Sequence, residues 1–565
     1  MKTMKYIATA LMLLSMTSCE LERLDYTEIS PENFFKTETD LKLAVNSLYY
    51  DFNPGDFKAV YSADYMGYQV IGDMTTDVLW CCWAWESDEL YFQQWYATVG
   101  GSIQNHAYSN FERYNFLSKA RNTIRRIENS PVSEDAKTLY SGEAKALRGW
   151  MGLYLYDMFG PVPVASDEVL DDPQTFVYLP RLTEEEYDAM MEADLRDAIR
   201  DLPEVAEARG RMTKGAARMI LLKYYMIKGY FDKAETLARE LLEMEGRVYS
   251  LQPDYNYIFS KEGIGNNEVI LQLACNNTAS WYSNYMTAEV LPADYPWAEK
   301  ATGWGGYVMP WDFYDTFEEG DLRLKNVVTA YTNKNGEKID WTPWHGITDE
   351  TPPYDQLEPR FAATVIYRGC TWKGKKMDCS LDGKNGVFMP YREQGTSYGK
   401  TTTGYFLRKL LDETLTDVKN GKSAQPWVEI RYAEVLLNKA EAAYRLNKIG
   451  EAQSAMNEVR ARVKVNLPGK SSTGEAWFKD YRNERKVELA YEGHLFWDMR
   501  RWELAHIEYN NYRTHGFKII GATNTYEYVD CDGQDRKFIK KLYVLPVPSE
   551  ELKNNSLIEQ YDEWK

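Results

Sequence analysis

The chain has 565 residues, with 66 Lys and Arg against 85 Asp and Glu and a formal net charge of −19. That length permits a well-buried core without disulfide staples, and that charge repels a nucleic-acid backbone or an anionic lipid surface, so a neutral ligand suits the field better. Aromatics make up 14% of the residues, including 17 Trp and 43 Tyr, more than an ordinary soluble core demands.

The opening MKTMKYIATALMLLSMTSCE sets Lys2 and Lys5 before an apolar run, Tyr6 to Met16. The run is too short to cross a bilayer as a stable helix, and residues 1–18 are expected to be an export signal. Met16, Thr17 and Ser18 ahead of Cys19 look like a lipobox. Cys19 is then expected to be acylated and to anchor residues 19–565, a single domain. Each buried methylene contributes about 0.8 kcal/mol, so one acyl chain holds weakly and several hold firmly.

Residues 80–87, WCCWAWES, bring three tryptophans into six positions. In an extended segment Trp83 and Trp85 project to the same side, whereas on a helix Trp80 and Trp83 would. Asp73 and Asp77 lie just upstream, in GDMTTDVLW. Their carboxylates could accept hydrogen bonds from ligand hydroxyls, or could cap a helix or turn.

From about residue 105 to 245, apolar residues recur at spacings of three and four, the mark of successive amphipathic helices. Ala234, Leu237, Leu241 and Met244 form one stripe; Ile430, Ala433, Leu437, Ala440 and Tyr444 form another. Residues 215–244 and 428–463 each read as helix, short turn, helix, with turn glycines Gly229 and Gly450 and small residues Ala234 and Ala452 at the close approach. This is tetratricopeptide-like patterning, and such pairs bury their stripes only by stacking on neighbours.

Between about residues 246 and 424 the helical period fades. NEVILQLA at 267–274 reads as a strand; PWAEKATGWGGYVMPWDFYDTF and DWTPWHG read as long aromatic loops. Such loops in a compact protein are usually functional, and their aromatic content argues against disorder. The expected fold is mainly α: a scaffold of tetratricopeptide-like helix pairs over about 30–245 and 425–505, a loop-rich, aromatic-rich insert with minor β structure over about 246–424, and an irregular C-terminal segment, 506–565.

The six cysteines after Cys19 show no dense framework, no CxxC pair and no histidines at ligand spacing, which speaks against structural zinc; a Cys370 to Cys379 bridge is left open. YVDCDGQD carries oxygen ligands at Asp530, Asp532 and Asp535 without the full calcium-loop pattern. No cofactor is expected, calcium being the one metal with any foothold. The five histidines form no HExxH. A glycoside hydrolase would need two carboxylates roughly 5 to 10 Å apart, and no short motif nominates such a pair. Glu484, Arg485, Glu488, Glu492, Arg500 and Arg501 could look like a catalytic cluster, but on an amphipathic helix they are expected to pair with each other and with neighbouring helices.

Four ordered stretches resemble the SusD/RagB family of outer-membrane lipoproteins: AKALRGWMGLYLYDMFGPVPVA at 144–165, the two helix pairs, and NERKVELAYEGHLFWDMRRW at 483–502 followed by LYVLPVPSEEL at 542–552. ELERLDY after Cys19 resembles the export signals that send Bacteroidetes lipoproteins to the outer face. The resemblance implies no catalytic activity, capture of an oligosaccharide or polysaccharide at the cell surface, and a SusC-like TonB-dependent transporter as partner, with a peptide-binding RagB-like protein as the alternative. It also directs attention to Trp281 and Tyr282 in ASWYSNY and to Trp304 in ATGWGGYVMPW, which sit where family members carry stacking residues. Gly303, Gly305 and Gly306 around Trp304 permit close backbone approach to a ligand. A sugar ring has C–H faces and a polar rim, so an indole or phenol can bury one face while polar groups satisfy the hydroxyls. The expected ligand-binding set is Trp83, Trp85, Asp73, Asp77, Trp281, Tyr282 and Trp304.

Overall fold

Thr37 opens the first described helix, α1 (Glu38–Tyr49), with a reciprocal cap: its hydroxyl accepts from Asp40 N–H at 3.2 Å, and the Asp40 carboxylate accepts from Thr37 N–H at 2.8 Å. Thr183 and Glu186 repeat the device at the start of α4 (Glu184–Asp201). Between them lie α2 (Tyr114–Glu128) and α3 (Glu134–Phe159). The computed structural model describes residues 34–52, 76, 79–81, 110–172, 175–276, 322–324, 328–384, 403–414, 423–509, 513, 515–530, 535 and 537–565. Among them no helix is long and apolar enough to cross a membrane.

From α2 onward each helix packs on the next: α2 on α3, α3 on α4, α4 on α5 (Lys214–Lys228), and α5 on α6 (Phe231–Leu242). The stack then passes over the insert, because α6 packs on α7 (Tyr432–Arg445), which pairs with α8 (Ile449–Arg460). Glycines on α3 set the spacing. A Cβ at Gly149 would lie 2.6 Å from Leu195 Cδ2, and one at Gly152 would lie 2.6 Å from Met191 Sδ, so α4 rests on the α3 backbone. The predicted stripe on α6 is buried throughout, with Ala234, Leu237, Leu241 and Met244 all at 2% exposure or less.

The second helix pair differs from expectation at its start and at its turn. Ile430 belongs to a strand, β5 (Trp427–Arg431), and the helix begins only at Tyr432. That strand pairs antiparallel with β2 (Val269–Leu273), from Val269 opposite Arg431 to Leu273 opposite Trp427, so the two ends of the insert meet beside the helical stack. The predicted strand at 267–274 is therefore present, trimmed at both ends. Gly229 ends α5 in the left-handed region at φ +73°. In the second pair Asn447 takes that conformation at φ +60°, and Gly450 lies inside α8 with open space where a Cβ would be.

The stretch 483–502 is likewise two helices, α9 (Gly474–Glu488) and α10 (Leu495–Arg501), broken where Tyr491 and Gly493 adopt φ of +62° and +77°. The break aims its charges inward. Glu488 accepts from Arg360 (2.8 Å), Arg431 (2.7 Å) and Arg462 (2.6 Å), while Arg431 also reaches Glu268 and Glu492, both at 2.7 Å. Arg485 meets Asp498 at 2.5 Å, Arg501 meets Glu441 at 2.7 Å, and Arg500 donates to the Asp157 carbonyl at 2.8 Å. Glu484 in turn pairs with Arg360 at 2.6 Å and Arg460 at 2.5 Å, so the six charged residues singled out from the sequence are structural. Burial alone would raise the Glu488 carboxyl; the guanidiniums of Arg462, Arg431 and Arg360 outweigh it and hold the group well below the usual carboxylate range.

The C-terminal segment, expected to be irregular, contains a hairpin of β6 (His515–Ile520) and β7 (Thr525–Asp530). The insert adds a short third strand, β4 (Ile347–Thr348), to the other edge of β7. Leu79–Cys81 forms β1, antiparallel to β3 (Leu322–Leu324), so the tryptophan-rich stretch starts extended. Cys275, Cys370 and Cys379 are free thiols, which closes the question of the 370–379 bridge. Much of the aromatic excess lies inside: Trp150, Trp341, Trp372, Trp427, Trp477, Trp497 and Trp502 are buried.

Candidate functional site

In a hairpin, residues two apart share a face. Ile519 and Tyr526 pair across β6 and β7 at 1% and 0% exposure, and Phe517 lies opposite Tyr528 one step outward. Farther along the same face, Tyr528 and His515 are only half-buried. One face of the hairpin therefore runs from core into solvent and ends in rings.

The insert completes the row. β4 meets β7 through Tyr526 opposite Thr348 and Glu527 opposite Ile347, and Tyr528 N–H donates to the Gly346 carbonyl at 2.8 Å. This register sets the exposed imidazole of His345 against Tyr528, with ring centroids 4.8 Å apart and planes 31° apart. His515 stacks on Tyr528 as well, at 4.6 Å and 8°. Beside them Trp344, half-buried, packs edge-on to buried Trp341 at 5.8 Å. Its indole N–H donates to the Glu350 carbonyl at 2.9 Å, which fixes the ring. Ile347, 74% exposed, pairs with Glu527 and so lies on the other face of the sheet.

The support beneath this ledge is polar and specific. Asp382 accepts from Gly521 N–H at 2.6 Å and Ala522 N–H at 2.9 Å, and these two bonds hold its carboxyl down to about 2. Arg368 donates to Asn524 at 2.7 Å and to the Tyr526 hydroxyl at 3.1 Å. Asn524, at φ +53°, closes the hairpin turn. At the far end Arg513 joins Asp530 (2.5 Å) and Asp535 (2.8 Å), and Lys518 faces Glu527 at 3.2 Å. Two of the three oxygen ligands singled out for calcium thus share one guanidinium; Asp532 lies outside the described residues. Among the described residues no group of three or more His, Cys, Asp or Glu side chains could hold a metal.

A fixed row of flat rings with carbonyls and carboxylates at its rim can cover the apolar face of a ligand while its polar edge is hydrogen-bonded. Rings held in place also lose little conformational freedom on binding. Of the residues predicted from sequence, Asp73, Asp77, Trp83, Trp85, Trp281, Tyr282, Trp304 and Cys19 all lie outside the described residues. The DWTPWHG loop, predicted as part of the binding insert, contributes Trp344 and His345 to the ledge. Sequence reasoning missed His515 and Tyr528, although the alternation in HGFKII and TYEYVD would have placed them on one face.

Tetratricopeptide-like helix pairs stacked across a long insert, with an aromatic-edged sheet where insert and C-terminal hairpin meet, define a helical-repeat scaffold with an insert on one side. The family model described as the SusD family matches residues 267–564, more than half of the chain. The chain belongs to the SusD family. It is similar to SusD-like protein P2 of Formosa agariphila, 25% identical over 577 aligned positions that cover 97% of each chain. Among solved structures it resembles a SusD-like protein of Bacteroides fragilis, at a TM-score of 0.76 and 22% identity over 95% of this chain and 99% of that one. A SusD-like carbohydrate-binding protein of the same species superposes at a TM-score of 0.73 with 20% identity, over 93% of this chain and all of the other (100%).

Proposed function

We propose that the protein is a non-catalytic, cell-surface lipoprotein that captures a neutral oligosaccharide or polysaccharide by stacking its sugar rings on exposed aromatics. The observation that carries this is the ledge of His345, Tyr528 and His515, in which each imidazole centroid lies within 4.8 Å of the Tyr528 ring at the open end of the sheet. Each ring in contact with sugar contributes on the order of 1 kcal/mol, so useful affinity comes from several rings and from avidity along a polymer. Trp83, Trp85, Trp281, Tyr282 and Trp304 extend the stacking surface in this reading, and Asp73 and Asp77 accept from sugar hydroxyls. Kinship with the SusD family, and with a relative described as carbohydrate-binding, supports the ligand class.

The carboxylates near the ledge suit binding better than hydrolysis. Asp382 is held ionised by two backbone amides, and Asp530 and Glu527 face cations, whereas glycoside hydrolysis requires one carboxyl kept protonated near neutrality. No cofactor is needed for stacking. Cys19, acylated, would tether the protein to the outer membrane, and a SusC-like TonB-dependent transporter would receive the captured glycan.

A glycan array and a peptide library, probed in parallel with the purified protein, test the ligand class. The proposal expects polysaccharide hits and no peptide hits; peptide binding alone would overturn it in favour of a RagB-like role.

A further inference from the structure

Away from the ledge, a cleft of about 310 Å³ lies between the 204–213 segment leading into α5, the turn at 247–249 after α6, and residues 265–272, which run into β2. That volume is at the lower end of small-ligand sites and suits one or two sugar rings. Three guanidiniums, Arg209, Arg211 and Arg247, line it against a single carboxylate, Glu204. This is a local excess of positive charge on a chain whose net charge is −19.

Two of the three arginines are committed. Arg247 holds both oxygens of Glu204, and Arg211 binds Glu143 at 2.9 Å. Arg209 is different. Its hydrogen bond runs from Nη1 to the Ile264 carbonyl at 3.0 Å, and among the described residues no carboxylate pairs with it. The Nε–Nη2 edge is left, the edge with which a guanidinium grips a carboxylate through two parallel bonds. The side chain is also seated: it lies over Gly265, where a Cβ would fall 2.0 Å from Arg209 Cζ and where φ is +80°. Both the contact and the backbone conformation require glycine there.

Gln272 supplies the second feature. It is 6% exposed, it lines the cleft from β2, and its Oε1 is buried with no donor. An unpaired buried carbonyl is costly. A ligand hydroxyl that reached it would supply the missing donor. Exposed Asn267 adds a second amide, and Val205, Val248 and Tyr249 form the apolar wall.

The geometry points to a second binding site, separate from the ledge, for one carboxylate-bearing sugar unit of a glycan, a uronic acid. Arg209 grips the carboxylate, and Gln272 and Asn267 hydrogen-bond the ring hydroxyls. The inference rests on the glycan reading above and adds an acidic sugar to it.

Calorimetric titration of the purified full-length protein with cellobiouronic acid, cellobiose and inorganic sulfate tests this. Cellobiouronic acid is expected to bind at least tenfold more tightly than cellobiose. Arg209→Ala, at an exposed position, should remove that preference, Gly265→Ala should weaken it by displacing the guanidinium, and Tyr528→Ala on the ledge should leave it unchanged. Equal binding of the two disaccharides would overturn the site, as would indifference to Arg209→Ala. Sulfate binding as tightly, with the same dependence on Arg209, would reduce it to a general anion site and overturn the sugar assignment. Loss of neutral polysaccharide binding beside intact, Arg209-dependent uronate binding would sink the ledge and support this cleft.

Discussion

Arg431 and Glu488 meet at 2.7 Å with both side chains at 1% exposure or less, and they join four parts of the chain. Arg431 ends β5, Glu488 ends α9, Arg462 follows α8, and Glu268 precedes β2. The seam between helical stack and insert is therefore ionic at its centre.

Removing one member leaves the others charged and buried without compensation. Glu488→Ala is expected to lower unfolding stability by roughly 3–5 kcal/mol, as for other broken buried pairs, read by urea denaturation. A loss near the roughly 0–1 kcal/mol of a surface pair would show that the network does not hold the seam.

The carboxyl of Glu458 on α8 is pushed up to about 7, first by burial and then by the neighbouring Glu245 carboxylate. A folded-state value above the ordinary 4.5 means that its contribution to stability is fully present below that value and is lost as pH rises through about 7. Glu458→Gln should therefore raise the thermal midpoint at about pH 8 and coincide with wild type at about pH 4.5. An equal offset at both pH values would contradict this assignment.

Two helical glycines, one at a helix contact and one in open space, should behave oppositely. Gly149→Val would drive a branched side chain into Leu195, 2.6 Å from where even a Cβ would stand, and should cost about 1–3 kcal/mol or more by overpacking. Gly450→Ala meets nothing within 4 Å inside α8 and should stabilise by about 0.5–1 kcal/mol through helix propensity and a less flexible unfolded chain. Denaturant midpoints of the two variants check both signs.

The helical scaffold was legible because a period of 3.6 leaves a repeated imprint, as in the stripe from Ala234 to Met244. The ordered stretches at 144–165 and 483–502 gave the family. What sequence did not convey is where a period stops. Ile430 continues the helical stripe by spacing yet lies in β5, since pairing with β2 takes precedence over local propensity. Gly450 looked like the turn because glycine usually is one; Asn447, whose short polar side chain tolerates the left-handed region, served instead. The ledge was half legible. The loop carrying Trp344 and His345 stood out by composition, but its partners His515 and Tyr528 come from a hairpin some 170 residues downstream, joined through β4 and β7. Nothing local in either segment announces that contact. The aromatic excess also overstated the binding surface, because many of the indoles fill the core.

The most direct test of ring stacking is affinity electrophoresis in gels containing the polysaccharides found on the array, comparing wild type with His345→Ala/Tyr528→Ala and with Trp83→Ala/Trp281→Ala/Trp304→Ala, each first shown to be folded by circular dichroism. At on the order of 1 kcal/mol per ring, each set should weaken binding at least about tenfold, and the wild-type retardation should disappear. Unchanged retardation of both folded variants would contradict the claim that exposed aromatic rings hold the glycan.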